Sequence, residues 1–109
     1  MVLMLNQVWF PPEQSDKVAT RYIEWMKENP PDPTVEKTLC IGVRSTEDGH
    51  VLAIGIGDIA KGKEKESLIN ATKGNLFLAA KIPGIRYKTD LMLDFSEAYK
   101  VLGMTAPDI

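Results

Sequence analysis

Residues 36–59 limit the chain's architecture more than any other segment. Two β-rich runs flank "EDGH", and Asp48-Gly49 is a favoured pair for a two-residue type I′ turn. Taken as a two-residue turn, it sets Val43 opposite Ile54 and Ile41 opposite Ile56. One face of the hairpin then carries Leu39, Ile41, Val43, Leu52, Ile54 and Ile56. The other carries Cys40, Gly42, Arg44, Ala53, Gly55 and Gly57 and is almost without side-chain volume. Glycine inside a strand weakens it unless something must come close. A helix, another subunit or a ligand would fill that space.

The flanking segments say what surrounds the hairpin. Residues 2–10 place apolar side chains on both parities (Val2, Leu3, Leu5, Val8, Trp9, Phe10), so a strand here is covered on both faces. Pro11 and Pro12 end it and suit the first turn of a helix. Val18, Tyr22 and Trp25, beside Ala19, Ile23 and Met26, give helical spacing from Glu13 to about Glu28. "NPPDPT" stops that helix. From about Lys63 to Ala80 the pattern is helical again, with Ile69, Thr72, Leu76 and Ala79 on one stripe and Leu68, Ala71 and Leu78 beside it. Residues 85–93 alternate as a strand. Asp94 then caps a short helix, with Glu97 placed to return the bond, and Gly103 suits the left-handed residue that closes it. The order is β-α-β-β-α-β plus a C-terminal helix. That predicts an α+β, ferredoxin-like antiparallel sheet with both main helices on one face. We read one domain over 1–109: a core at 2–93, the C-terminal helix at 94–103 and a loose tail at 104–109.

Composition narrows the partners. A net charge of −2 over 109 residues argues against nucleic acid and against an anionic membrane surface, since both reward a basic protein. The single cysteine, Cys40, excludes an internal disulfide and a multi-cysteine metal site, and it fits a reducing, cytoplasmic setting. The N-terminus "MVLMLNQVWF" lacks the basic start and small-residue cleavage site of a signal peptide. Its apolar run is far shorter than the ~20 residues of a membrane span. We expect no metal and no cofactor.

Several residue types capable of chemistry stand out. "GDIAKGKE" (57–64) has the Gly-x4-Gly-Lys skeleton of a phosphate-binding loop, but Glu64 stands where a Ser or Thr would hold Mg²⁺. The strand before it belongs to an antiparallel hairpin, whereas such loops follow parallel strands. We read it as a turn, and a loosely held anion at Lys61 and Lys63 is the functional alternative. His50, the only histidine, sits at the hairpin tip with nothing to complete a site. Cys40 on its strand reads as a structural thiol. Arg44 shares the small-residue face, where a buried guanidinium would need an anionic partner; exposed, it is an ordinary surface charge. Trp9, Tyr22, Trp25, Tyr87 and Tyr99 suit a core, an interface or a pocket lining. The ligand-binding candidates are Arg44, Trp9, Tyr22 and Tyr87. No pair of carboxylates has a spacing that forces acid–base chemistry.

In strand order, length and apolar residues on both sheet faces, residues 2 to about 93 resemble the dimeric α/β-barrel group of ferredoxin-like proteins. That group includes cofactor-independent monooxygenases of antibiotic biosynthesis, stress-responsive barrel proteins and small uncharacterised proteins. "PGIRYKTDLMLDFSEAYKVLGM" is similar to the closing segment of those small proteins. The resemblance transfers no catalytic residue. A sheet with helices on one side, and apolar or small residues on both, leaves a face to cover, and we expect a homodimer joined largely through its sheets. Three functions follow as expectations: a homodimeric binding or regulatory protein with a small-molecule cavity between sheet and partner, a cofactor-independent oxygenase or isomerase, or an interaction module without a cavity. The reading of "GDIAKGKE" as a turn predicts that calorimetric titration with ATP and Mg²⁺ gives no binding heat. Micromolar affinity that is lost in Lys63→Ala would contradict it.

Overall fold

The computed structural model describes residues 1–109. Strand β1 (Val2–Phe10) leads through a 3₁₀ turn (Pro12–Gln14) into helix α1 (Ser15–Glu28). Strands β2 (Glu36–Ser45) and β3 (Val51–Ile59) form the hairpin, followed by α2 (Glu64–Ala79), β4 (Arg86–Leu93) and α3 (Phe95–Val101). The sheet order is β2-β3-β1-β4, with every neighbouring pair antiparallel. No helix is long and apolar enough to cross a membrane.

Because opposed residues share a face, the register assigns each side chain. Met4, Asn6, Val8 and Phe10 of β1 face the same way as Gly57 and Ile59 of β3 and Thr89 of β4. α2 lies on this face, tied to Asn6 and Thr89 through Asn75. Met4, Val8, Phe10 and Ile59 are buried there, with Val35, Leu78 and Ile82 closing the core. The opposite face carries Leu3, Leu5, Gln7 and Trp9 of β1, then Leu52, Ile54, Ile56 and Asp58 of β3, with Arg86, Lys88, Asp90 and Met92 on β4. No helix covers it. As expected, β1 is apolar on both parities, but only one of its faces is covered within the chain.

The hairpin differs from expectation by one residue. Gly49 does have positive φ (+80°). The loop, however, has three residues, Glu47–Gly49: Thr46 N donates to His50 O at 2.8 Å, and Gly49 N donates to Thr46 O at 3.1 Å. A three-residue loop with one left-handed glycine is the next most common hairpin connection. A one-residue slip exchanges faces. Val43 therefore sits opposite Ala53, and Ile41 opposite Gly55, not opposite Ile54 and Ile56. Neither expected face survives. Ile41 and Val43 stand with Ala53, Gly55 and Gly57, while Cys40, Gly42 and Arg44 stand with Ile56, Ile54 and Leu52. A bulge at Leu39 shifts the pairing again, to Thr38 opposite Gly57. Alternation favours the other register: Leu39, Ile41 and Val43 alternate with small residues on β2 as Leu52, Ile54 and Ile56 do on β3, and matching bulky face to bulky face leaves no sign of the extra loop residue.

α2 also departs from its expected orientation. Ile69, Leu76 and Leu68 are exposed, while Ser67 and Asn75 are buried at 2% and 3% exposure. The C-terminal helix keeps most of its expected ends. Asp94 Oδ1 accepts from Glu97 N at 2.7 Å. Gly103 (φ +70°) donates to Lys100 O at 2.9 Å and Met104 N to Tyr99 O at 3.0 Å, a Schellman ending. The Glu97 side chain does not return the capping bond. It lies 3.6 Å from the N-terminal ammonium and 3.2 Å from Lys100.

Gly49→Val should lower stability by about 1–3 kcal/mol, because a β-branched residue is strained at positive φ. Urea unfolding reads this directly, and an unchanged midpoint would place the turn elsewhere.

Candidate functional site

A cleft of about 420 Å³ lies between the covered face of the sheet and the two main helices. Its construction follows from how the helices are attached. α2 is fixed to the sheet by polar ties. Asn75 Nδ2 donates to Asn6 Oδ1 (2.9 Å) and to Thr89 Oγ1 (3.0 Å). In return Asn6 Nδ2 donates to Asn75 Oδ1 at 3.0 Å, and Thr89 Oγ1 to Asn6 Oδ1 at 2.7 Å. One turn pair nearer the N-terminus of α2, Ser67 donates to Glu36 Oε1 of β2.

α1 rests on α2, with no fully buried residue of its own. Trp25 packs at Gly74, where an added Cβ would stand 3.2 Å from the indole nitrogen. Its ring is 5.4 Å from that of Phe77. Arg21 lies 3.6 Å over the Phe77 ring and donates to the Phe77 carbonyl at 2.8 Å. These contacts hold α1 away from β2 and β3, and the cleft is the space left between them.

The floor of the cleft includes Met4, Asn6, Thr38, Ile41 and Gly55. Tyr22, Trp25 and Met26 line it from α1, and Ser67, Ala71, Gly74 and Asn75 from α2. No atom lies within 4 Å of where a Cβ on Gly55 would stand, so the glycine opens onto empty space. Gly57 has the opposite surroundings: a Cβ there would collide with Glu36, whose side chain lies flat across it. The small side chains of β3 thus serve two purposes, an opening at Gly55 and a bed for Glu36 at Gly57. Asp32, in the loop after α1, also borders the cleft. Thr34 holds its carboxyl below the usual carboxylate range, first through the hydroxyl and then through the backbone N–H.

The residues singled out from sequence are scattered. Tyr22 lines the cleft, and so does Trp25. Trp9 is on the uncovered sheet face, where the Arg86 guanidinium stands 5.9 Å over its ring. Arg44 is on that same face, exposed, donating only to the neighbouring Ser45 carbonyl at 3.3 Å. It does not share a face with Ala53 and Gly55 as expected, because of the shifted register. Tyr87 is 40% exposed on β4. Lys61 is exposed, and Lys63 pairs with Glu66 at 3.4 Å beside the turn that Gly62 makes at φ +79°. The structure brings none of Arg44, Trp9, Tyr22 and Tyr87 into one site. His50 lies 3.3 Å from Asp48 at the hairpin tip, and Asp48 reaches Arg86 of β4 at 3.8 Å. Cys40 is exposed, not buried as its type suggests. No group of three or more His, Cys, Asp or Glu side chains is placed to hold a metal ion.

Glu36, Ser67 and Asn75 were missed. The signal was present but indirect: a glycine two residues before the end of β3, and polar residues eight apart on one face of a helix whose apolar stripe looked sufficient.

Four antiparallel strands in the order β2-β3-β1-β4, with the helices on one face, make this an α+β protein of ferredoxin-like fold, the fold of the monooxygenase-like barrel group. Among solved structures, an antibiotic biosynthesis monooxygenase superposes with a TM-score of 0.50 at 18% identity, covering 86% of this chain and 98% of its own. Rv0793 from Mycobacterium tuberculosis superposes at 0.52 with 8% identity, covering 90% and 99%. The de novo designed protein Foldit4 superposes at 0.55 with 12% identity, covering 85% and 97%. At these identities the likeness is one of fold. No protein-family model matches the sequence, and no curated protein matches it significantly.

Asn75→Ala should cost about 2–3 kcal/mol, since it removes three hydrogen bonds and leaves the half-buried Asn6 amide with only Thr89 as partner. Chemical denaturation measures the loss. A cost below about 0.5 kcal/mol would mean that apolar packing, not the amide network, seats α2.

Proposed function

We propose that the protein is a homodimeric small-molecule-binding protein, of binding or regulatory type, that holds its ligand in the cleft between the sheet and the two helices. The observation that carries the ligand reading is the open volume over Gly55, bounded by aromatic and polar side chains. Sites for small molecules are typically concave and partly apolar, with a few placed polar groups. The cleft belongs to one chain. The small β3 residues expected to line a cavity between two sheets turn instead toward the helices.

Surface area supports the dimer. The chain exposes 7331 Å², against about 6,000 Å² for a compact monomer of 12.1 kDa. Its radius of gyration is 15.5 Å, against about 13 Å for a compact domain of this length. The excess, about 1,300 Å², is shared between the uncovered sheet face and other exposed parts, among them Ile41 and Val43 of β2 and the tail from Leu102 to Ile109. The uncovered sheet face, where half-buried Leu3, Leu5, Ile54, Ile56 and Met92 stand beside Gln7, Lys88 and Asp90, is the surface we assign to a second copy. A cofactor-independent oxygenase or isomerase is the second reading, favoured by one feature: a half-buried carboxylate, Glu36, inside the cleft.

Two measurements test this. Light scattering at low micromolar concentration should give twice the chain mass of 12.1 kDa, and Ile54→Glu should give monomer or unfolded chain. A stable wild-type monomer would exclude the dimer. In heteronuclear NMR, a neutral aromatic probe such as 1-naphthalenemethanol should shift Gly55 and Gly74. Gly55→Leu, whose Cβ would meet nothing within 4 Å, should fill the opening and abolish those shifts while leaving the fold intact. Shifts that survive Gly55→Leu would place binding elsewhere.

A further inference from the structure

One charged group of the cleft stands out. Glu36 is half-buried at the start of β2 and lies over Gly57, a position that leaves no room even for a methyl group. Its Oε1 accepts from Ser67, itself 2% exposed. Its Oε2 accepts no hydrogen bond from the chain, and no lysine or arginine forms an ion pair with it. The other charged residues of the cleft are differently placed. Asp32 is exposed, and its Oδ1 accepts from Thr34 N at 2.9 Å and Thr34 Oγ1 at 2.6 Å. Lys73 is exposed on α2 and reaches no carboxylate.

A half-buried carboxylate with one free oxygen favours a donor, and a charged donor most of all. Tyr22 and Trp25 border the same space. Their rings suit an apolar body and attract a cation through the negative face of the π-system. We propose that the cleft takes a small primary amine, its ammonium on Glu36 and its apolar or aromatic body against Tyr22 and Trp25. This rests on the cleft being a ligand site, as argued above. Ser67 then acts as a positioning residue, orienting the carboxylate through Oε1.

The test uses three probes with one ring system: 1-naphthylmethylamine, 1-naphthalenemethanol and 1-naphthoate, titrated at neutral pH against the full chain by heteronuclear NMR. The amine should bind at least about tenfold tighter than the alcohol, and tighter still than the carboxylate, as a charge-assisted hydrogen bond requires. Glu36→Gln should reduce the amine to the alcohol's affinity without changing the alcohol's own by more than about twofold. Should Glu36→Gln fail to fold, the salt dependence of the wild type decides. The amine should weaken as ionic strength rises while the alcohol does not. Equal binding of amine and alcohol, tighter binding of naphthoate through Lys73, or an amine preference unaffected by both Glu36→Gln and salt overturns the amine assignment and leaves the ligand site standing. If no probe shifts Gly55 or Gly74, both fall.

Discussion

The seating of α2 by two buried polar side chains governs the rest of the structure. Asn75 and Ser67 reach across to β1, β4 and β2, joining parts of the chain 69, 14 and 31 residues apart. The amide pair Asn6–Asn75 is reciprocal, each side chain donating to and accepting from the other, with Thr89 taking the second proton of Asn75. A buried polar group without a partner costs about 1–3 kcal/mol, so only a narrow range of helix positions satisfies all three side chains at once. Greasy contacts would tolerate sliding; this network does not. It also accounts for the outward orientation of Ile69 and Leu76. The helix rotates to bring its amide and hydroxyl to the sheet, and its apolar stripe follows to the opposite side.

α1 is then placed at second hand. It contacts α2 through Trp25 at Gly74 and through Arg21 on Phe77 and its carbonyl. A larger residue at 74 would press on the indole, so the mid-helix glycine, a weakness of roughly 1 kcal/mol in an isolated helix, is where the two helices meet closely. Because α1 is hung from α2 and not pressed onto β2, the sheet beneath it is left partly open. The cleft and the exposed Ile41 and Val43, at 59% and 67%, are two results of the same geometry.

The two sheet faces differ in the same way. On the helix side, the chain covers itself. On the other, Leu3, Leu5, Ile54, Ile56 and Met92 are half-buried among Gln7, Asp58, Lys88 and Asp90, and only Leu52 is fully buried, in the row where the hairpin tip reaches from Asp48 to Arg86. Within one chain, then, the uncovered face carries apolar side chains on β1 and β3, interrupted by Gln7 and bordered by Asp58, Lys88 and Asp90, while the covered face holds polar ties and space. This division separates where a second copy would attach from where a ligand would sit, so neither need displace the other.

The features legible along the chain are those whose causes lie within a few residues. Apolar periodicity and the prolines set the order of elements, and with it the fold. Gly49 and Gly103 adopt the positive φ that their turns require, and Asp94 caps the amide three residues ahead. Each depends on backbone chemistry that neighbouring residues complete. The hairpin register, the inward side of α2 and the position of the cleft depend instead on contacts between distant segments. Asp48-Gly49 is compatible with a two- or a three-residue loop, and the alternation of β2 and β3 points to the first; the folded sheet takes the second, which exchanges the faces of β2 relative to β3. For α2, an apolar stripe at helical spacing pointed one way, and hydrogen-bond partners 14 to 69 residues distant pointed the other. Glu36, Gly57 and Ser67 are unremarkable where they stand in the chain. They acquire a relation only when β2, β3 and α2 come together, because a carboxylate becomes consequential through what surrounds it, and those surroundings are supplied by distant segments.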